Sequence, residues 1–482
     1  MITADFCWAV AECEAGCERI RGMTRREFAR LVAGACAFAR RLRAQAVPDS
    51  FKVYSETPRL LLRPARLRLL QRERERRELR WDQFETLWNA GAGFPEIGWI
   101  EALRYQVADE REAGTRAVAW AAGPGDDIRQ IALIADWCAP ITSKDDQSLI
   151  FGKLRKELTD NKPLKTLAEA RDRVFAAIVL ADAQPAASEK ALQQFFEGFW
   201  MGSLIPGLRN AKTSVASQDA YPMLEIMHAV RDNLSFDLRE TFPKWFEQYP
   251  LLHLMAHYPA PWPGSENEFR IPADETIEKR GPDVWKATLS RAAELAMIAY
   301  DTNTASSQLL QGWVTNDRFL MRGAAGIGYE FLWANPYQPG LSYHHVPLAF
   351  HDEIGGQLFV RSSWEDDAAW AGFFAGQLQL FADGSVSAID PRLSHEPLDL
   401  ESAVVFFARD AKRFRAPASR NDVTAESGFN IFLVGLEPGK AYHVEVDGEE
   451  MSEERADPGG IIYLSRVPAG AGVRLNPMPV IS

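Results

Sequence analysis

Two stretches of this 482-residue chain concentrate side chains that move protons, hold cations or grip polar ligands. The first is Tyr249 to Pro272, YPLLHLMAHYPAPWPGSENEFRIP. His253 and His257 stand four residues apart, a spacing that lets two imidazoles on one helix face share a metal ion. No glutamate lies between them, so the zinc-protease pattern is absent. Their bland alternative is burial on a core face with Leu251, Leu254 and Met255. Tyr258 follows His257 directly. Pro259, Pro261 and Pro263 then impose an extended loop that carries Trp262, Glu266, Asn267, Glu268 and Arg270. An exposed indole can stack on a sugar ring while polar neighbours bond its hydroxyls.

The second stretch is Trp333 to Trp364, WANPYQPGLSYHHVPLAFHDEIGGQLFVRSSW. It holds His344, His345 and His351, three of the eight histidines, with Asn335, Tyr337 and Tyr343. Pro336, Pro339, Gly340 and Pro347 exclude a long helix. A third group lies on a helix expected over residues 219–233, where His228 and Asp232 are one turn apart and Asn233 ends the helix. Only one cysteine lies beyond residue 46 and no Cys/His pairs cluster, so no structural metal and no cofactor are expected, with His253 and His257 the one pair that invites a test.

The elements around these stretches change character at the second one. Upstream, 3.6-residue periodicity recurs over about 64–88, 98–121, 127–138, 145–158, 164–182, 186–201, 219–233, 238–248 and 286–301. Successive helices with short loops suggest antiparallel hairpins arranged about an axis. Downstream of Gly355-Gly356 the period becomes two, with strands expected at Gln357–Trp364, Gln377–Phe381, Ala403–Phe407 and Phe429–Val434. The fold class expected is α+β multidomain: an N-terminal (α/α) toroid over residues 47–335, a β-sandwich domain over 336–425 and a small C-terminal β module over 426–482. Tyr249–Pro272 and Trp333–His351 are both expected as largely rigid loops and not helix faces, facing each other at the mouth of the toroid.

Composition excludes several classes. The chain is 46% hydrophobic and 25% charged, with a net charge of −12. Nothing is basic enough to indicate nucleic acid. An anionic ligand would need a local basic lining, and Arg270, Arg318, Arg322 and Arg361 are near enough in sequence to supply one. No P-loop, GxGxxG or GxSxG motif occurs. Residues 1–46 read as a leader. From Met23, Arg25-Arg26 precede an apolar run of about nine residues, too short to span a bilayer, and Ala44-Gln45-Ala46 offers a cleavage site. This pattern is that of a twin-arginine export signal, so a periplasmic or secreted protein with no transmembrane segment in the mature chain is expected. Of five cysteines only Cys138 lies beyond residue 46, which leaves no intramolecular disulfide.

Thr57 to Leu70, TPRLLLRPARLRLL, resembles the opening of heparinase II/III-like polysaccharide lyases, and Gly356 to Trp370, GQLFVRSSWEDDAAW, resembles the start of their β-domain. The order of helices before strands is similar too. The resemblance implies a helical toroid closed by a β-domain, a polysaccharide or oligosaccharide partner, and β-elimination on uronic-acid glycans. It also implies three roles: Asn267 or Asn233 would neutralise the uronate carboxylate, His257 or His228 would take the C5 proton, and Tyr258 or Tyr343 would protonate the leaving oxygen. Trp262, Arg270, Arg322, Tyr337 and His344, with Asn233, would line the substrate path. One departure stands out. The stretch AGFFAGQLQLFADG after the RSSW-like strand has no histidine where the family carries one. The alternative is therefore a glycan-binding or structural envelope protein that lacks the chemistry. A glycosidase using two of Asp232, Glu266 and Glu268 is a third reading.

Overall fold

Pro64 opens the first helix, because its fixed backbone angle suits that position and the N–H it lacks would have had no partner there. The computed structural model describes residues 51–478 apart from 161, 212–216, 265–267, 274–280, 318, 320, 336, 394–395, 408–412, 419–427 and 449. The expected export signal and Asn267 thus lie outside the described residues. The helices are α1 (Pro64–Glu75), α2 (Leu79–Asn89), α3 (Ile97–Ala108), α4 (Arg111–Ala122), α5 (Ile128–Trp137), α6 (Lys144–Thr159) and α7 (Leu167–Leu180). They continue as α8 (Pro185–Gln193), which runs into a π-helix at Gln194–Leu204, then α9 (Ile205–Arg209), α10 (Ser217–Leu234), α11 (Pro243–Met255), α12 (Val284–Tyr300), α13 (Ala305–Asn316) and α14 (Ile327–Trp333). Side-chain oxygens of Asp127, Ser143, Thr166, Asp283 and Thr304 cap α5, α6, α7, α12 and α13. Two helices expected as continuous are each cut by one left-handed residue, Arg77 (φ 55°) and Asp109 (φ 56°).

The helices close a ring. In order, α3, α5, α7, α10, α12, α14, α2 and α1 each pack on the next, and α1 returns to α3. The most apolar helices stand in this ring: every residue of α5 after Ile128 is buried. α4, α6, α8 and α13 pack against its outside. The chain entering the ring is tied down by α5. Asp136 accepts hydrogen bonds from the backbone N–H of Arg59 and Leu60 at 2.7 and 2.8 Å, and the Trp137 indole donates to the Leu60 carbonyl at 2.8 Å. Those contacts explain why the apolar run after Pro58 is wholly buried.

After α14 the chain forms sheets. A five-stranded antiparallel meander is ordered β3-β4-β5-β6-β7, from Ala349–Asp352 through Gln357–Arg361, Trp370–Phe374 and Gln377–Ala382 to Ser385–Ile389. A second sheet is ordered β14-β11-β9-β8 (Ile462–Val467, Phe429–Val434, Val404–Phe407, Leu398–Asp399). A third is ordered β10-β15-β12-β13 (Arg413–Arg415, Gly472–Pro477, Ala441–Val446, Glu450–Arg455). Strand alternation makes the second sheet the middle layer. Val405, Phe407, Phe432 and Val434 pack toward Leu358, Val360 and Phe373 of the first sheet. Val404, Phe406, Ile431 and Leu433 pack toward Val444, Val473 and Leu475 of the third. β9 and β11 pair in parallel, so the sheets are not uniformly antiparallel. The boundary expected after residue 425 falls inside this shared sheet. A ribbon of two short strands, β1 (Trp262–Pro263) and β2 (Glu268–Phe269), sits between α11 and α12.

The first sheet turns its other face to the helices. The Trp370 indole donates to the Met255 carbonyl at 2.9 Å. A Cβ at Gly372 would lie 2.3 Å from the Trp370 ring, so only glycine leaves room for that indole. Residues 50–482 form one unit. Among the described residues no helix is long and apolar enough to cross a membrane.

Candidate functional site

Leu252 to Met255 continue α11 despite Pro250. This corrects the expectation that Tyr249–Pro272 is largely loop and not a helix face: His253 stands on the last helical turn and His257 two residues past it. Both imidazoles are buried and face α12. Ser290 Oγ lies 3.1 Å from Nε2 of each. Glu294 Oε1 lies 3.5 Å from His253 Nε2 and 3.4 Å from His257 Nε2. Burial pushes His257 down to about 4 against the pull of Glu294, so its ring is neutral at pH 7. Burial alone would raise Glu294, but Arg291, whose Nε lies 3.1 Å from Oε2, holds it down at about 2. Arg291 also bonds Asp317, which accepts from Arg270 Nε at 3.0 Å.

Arg270 was expected to line a substrate path. Its guanidinium is instead taken up by Asp317, by Asp366 at 3.1 Å and by the Pro259 carbonyl, and it lies 5.0 Å above the Trp313 ring. His257 is likewise unsuited to abstract a substrate proton: its Nδ1 is engaged by the His253 carbonyl at 2.9 Å and its Nε2 faces Ser290 Oγ at 3.1 Å. The Tyr258 hydroxyl donates to Gln379 Oε1 of β6 at 2.7 Å, and its ring packs on Trp370 and Phe381. That makes it a clasp between helices and sheet.

His228 and Asn233 belong to the helical ring. His228 Nε2 is 3.0 Å from the Ala296 carbonyl and Nδ1 is 3.3 Å from Arg231, with Trp333 and Tyr300 on its faces. Asn233 Nδ2 donates to the carbonyls of Arg59 and Ala229. Both are enclosed in the helical packing, with Asn233 Oδ1 left without a hydrogen-bond partner. Burial, then the charge of Arg231, holds His228 well below its ordinary range. The unfolded chain, titrating near 6.5, therefore binds the extra proton first, so this contribution is complete above about pH 6.5 and is lost as pH falls below it, at up to about 1.4 kcal/mol per pH unit. Asp136 and Asp172, raised to about 6 by burial, act in the opposite direction. The urea midpoint of the wild type should accordingly fall more between pH 7.5 and 5 than that of His228→Gln; parallel curves would contradict this.

The second stretch is delivered by a close approach of backbone to helix. A Cβ at Gly312 on α13 would lie 1.8 Å from the Leu341 carbonyl, and the Leu341 N–H donates to the Gln308 carbonyl at 2.8 Å. Only glycine lets this segment lie on α13. The turn Tyr343–His345 follows at once. Tyr343 packs edge-on against Trp313 and Trp364, with centroids at 5.2 and 5.4 Å, and stacks on His344 at 4.3 Å. Burial raises the Tyr343 phenol above its ordinary value, against the pull of Arg270, so it is protonated at neutral pH. Arg361, at the end of β4, lies 4.3 Å from the Trp364 ring and is 2% exposed. Its Nε and Nη1 are enclosed with no hydrogen-bond partner, and the carboxylate whose charge reaches it, Asp366, is paired with Arg270. Burial and the nearby Arg270 pull it down to about 9, which still leaves it cationic at pH 7.

His257 is 6.5 Å from Trp313 between ring centroids, so the two stretches meet through Trp313. Tyr337 is exposed and bonds Glu78, Arg322 is exposed, and Trp262 is 46% exposed on β1. The contributions of Glu294, Ser290, Trp313 and Trp364 were not anticipated. Their distance along the chain hides them, although Trp364 closes the RSSW motif.

No protein-family model matches this chain, and no curated protein matches it. Among solved structures, a chain described as "Glycoside hydrolase" aligns with a TM-score of 0.29 at 10% identity, over 82% of this chain and 74% of that one. A likeness at that level carries nothing about activity.

Proposed function

We propose that this chain acts on an acidic glycan, binding a uronate carboxylate at Arg361 under the Tyr343–His345 turn and cleaving the chain by β-elimination. The observation that carries the proposal is Arg361, a buried guanidinium whose Nε and Nη1 have no hydrogen-bond partner. A buried charge is costly unless paired, and a strongly perturbed ionisable group is a functional-site candidate. Trp364 and Tyr343 give the flat apolar faces that sugar rings stack on. In this reading Arg361 neutralises the carboxylate and so acidifies the C5 proton. His344 takes that proton, the C4–O bond breaks as the C4=C5 bond forms, and the Tyr343 hydroxyl protonates the departing oxygen. The resemblance of Thr57–Leu70 and Gly356–Trp370 to heparinase II/III-like lyases points the same way.

A second reading, a glycan binder without chemistry, draws on the sealed His257 and on β5 and β6, which carry no histidine. Incubation with a panel of uronic-acid polysaccharides separates the two. The lyase produces unsaturated ends seen in ultraviolet absorbance; a binder gives calorimetric heat and no absorbance. Neither signal from any uronic-acid glycan would end the proposal. Export belongs to it as well, with the mature chain starting after Ala46. Mass spectrometry of the protein from its native envelope should find no species that retains Arg25-Arg26; a mature species that retains them would refute export by this route.

A further inference from the structure

We propose that His253, His257 and Glu294 hold one divalent transition-metal ion, zinc by geometry, with Ser290 Oγ at the fourth corner. This goes beyond the glycan reading and does not depend on it. The ligating atoms of the three residues lie within 4.8 Å of one another, and all three residues are buried. Zinc bonds to imidazole nitrogen and carboxylate oxygen run about 2.0–2.2 Å, so donors at the corners of a tetrahedron sit roughly 3.3–3.6 Å apart. Glu294 Oε1 lies 3.5 and 3.4 Å from the two Nε2 atoms, which matches those edges. The same separations are too long for charge-assisted hydrogen bonds, which run about 2.7–2.9 Å. Glu294 Oε2 lies 3.1 Å from Arg291 Nε, while Oε1 is buried without a hydrogen-bond partner, an arrangement that calls for one.

The tautomer supports the same conclusion. His257 Nδ1 lies 2.9 Å from the His253 carbonyl, which can only accept. Nδ1 therefore carries a proton, which leaves Nε2 to face Ser290 Oγ and the Glu294 carboxylate. Arg291 neutralises the far oxygen, Oε2, and a cation between Oε1 and the two Nε2 atoms would use the donors that remain. A carbonyl on the far ring nitrogen is also the outer support that orients metal-bound histidines. Imidazole and carboxylate donors around a small closed space suit zinc. Four protein donors at a site closed to solvent are the arrangement of a structural ion, so the metal would fasten the end of α11 to α12 beside Trp313.

The test uses the full chain, stripped with chelator and titrated with zinc chloride and, separately, cobalt chloride. The expected result is one equivalent of zinc that survives dialysis, visible ligand-field bands of tetrahedral cobalt, and a Tm that drops with chelator. Glu294→Gln, nearly isosteric, should weaken zinc binding more than about 100-fold, beyond the 10–100-fold typical of outer-shell changes, and its Tm should ignore chelator. Should that variant fail to fold, the cobalt spectrum of the wild type decides alone. A folded wild-type chain with neither stoichiometric zinc nor ligand-field bands would overturn the proposal, as would a folded Glu294→Gln that binds zinc as the wild type does.

Discussion

Glu225→Ala is expected to destabilise the protein by about 3–5 kcal/mol, the cost of leaving buried charge unpaired. Glu225 is fully enclosed on α10. It accepts from Arg129 Nε of α5 at 2.8 and 3.0 Å, and from Arg171 Nη1 of α7 at 3.3 Å. Arg129 also holds Glu96 at 3.0 Å and lies among the rings of Trp99, Tyr221 and Tyr329. One carboxylate thus ties three consecutive helices of the ring across its interior. Removing it leaves Arg171 with Asp172, at 2.8 Å, but Arg129 with Glu96 alone. The loss is not the net worth of the network, since an apolar replacement of all its members could be neutral. Urea denaturation reads the effect. Glu437→Ala, which breaks an exposed contact with Lys440, should leave the midpoint unchanged. A loss below about 1 kcal/mol for Glu225→Ala would mean that water or another group reaches Arg129.

Tyr343→Phe is expected to lower turnover on a uronate glycan by about 10²–10⁴-fold, the range for a removed general acid, with glycan affinity almost unchanged. The ring keeps its contacts with Trp313, Trp364 and His344, so only the proton donor is lost. Tyr258→Phe should behave in the opposite manner. Its hydroxyl is bonded to Gln379, and losing it should cost about 1 kcal/mol of stability and leave turnover near wild type. Steady-state rates with calorimetric binding on both variants check the pair. A Tyr343→Phe enzyme with unchanged rate would remove Tyr343 from the chemistry.

Much of the architecture was legible because it is local. Helical periodicity, Pro64 at a helix start and the switch to period two after Gly355-Gly356 all act within a few residues. Local signals also misled. Periodicity runs straight through Asp109, whose left-handed backbone divides α3 from α4, and α11 absorbs Pro250 because burial of its side chains outweighs one lost hydrogen bond. The parallel pairing of β9 with β11 joins segments separated by a long connection, which no turn residue announces. At the site, the spacing of His253 and His257 pointed to shared ligation, but Glu294 arrives from another helix and is invisible to any motif. His228 and Asn233 have the side chains of catalytic residues, yet their burial and backbone partners could not be read from residue type. Tyr343 and His344 were singled out by a loop rich in proline and aromatics, and Arg361 only as one of several nearby cations. Its enclosure with Nε and Nη1 unbonded is a property of three-dimensional packing.

The central claim is that Arg361 receives a uronate carboxylate, and calorimetric binding to one glycan in two forms tests it most directly. A uronate polysaccharide and the same polymer with its carboxyl groups reduced to alcohols are each titrated into the wild type and Arg361→Gln. The account predicts binding of the acidic polymer by the wild type, weakened by salt, and no binding of the reduced polymer. It also predicts a loss of about 2–5 kcal/mol in Arg361→Gln, the range for truncating one partner of a buried charge pair. Equal affinity for the two polymers, or an Arg361→Gln chain that binds as the wild type does, would contradict it.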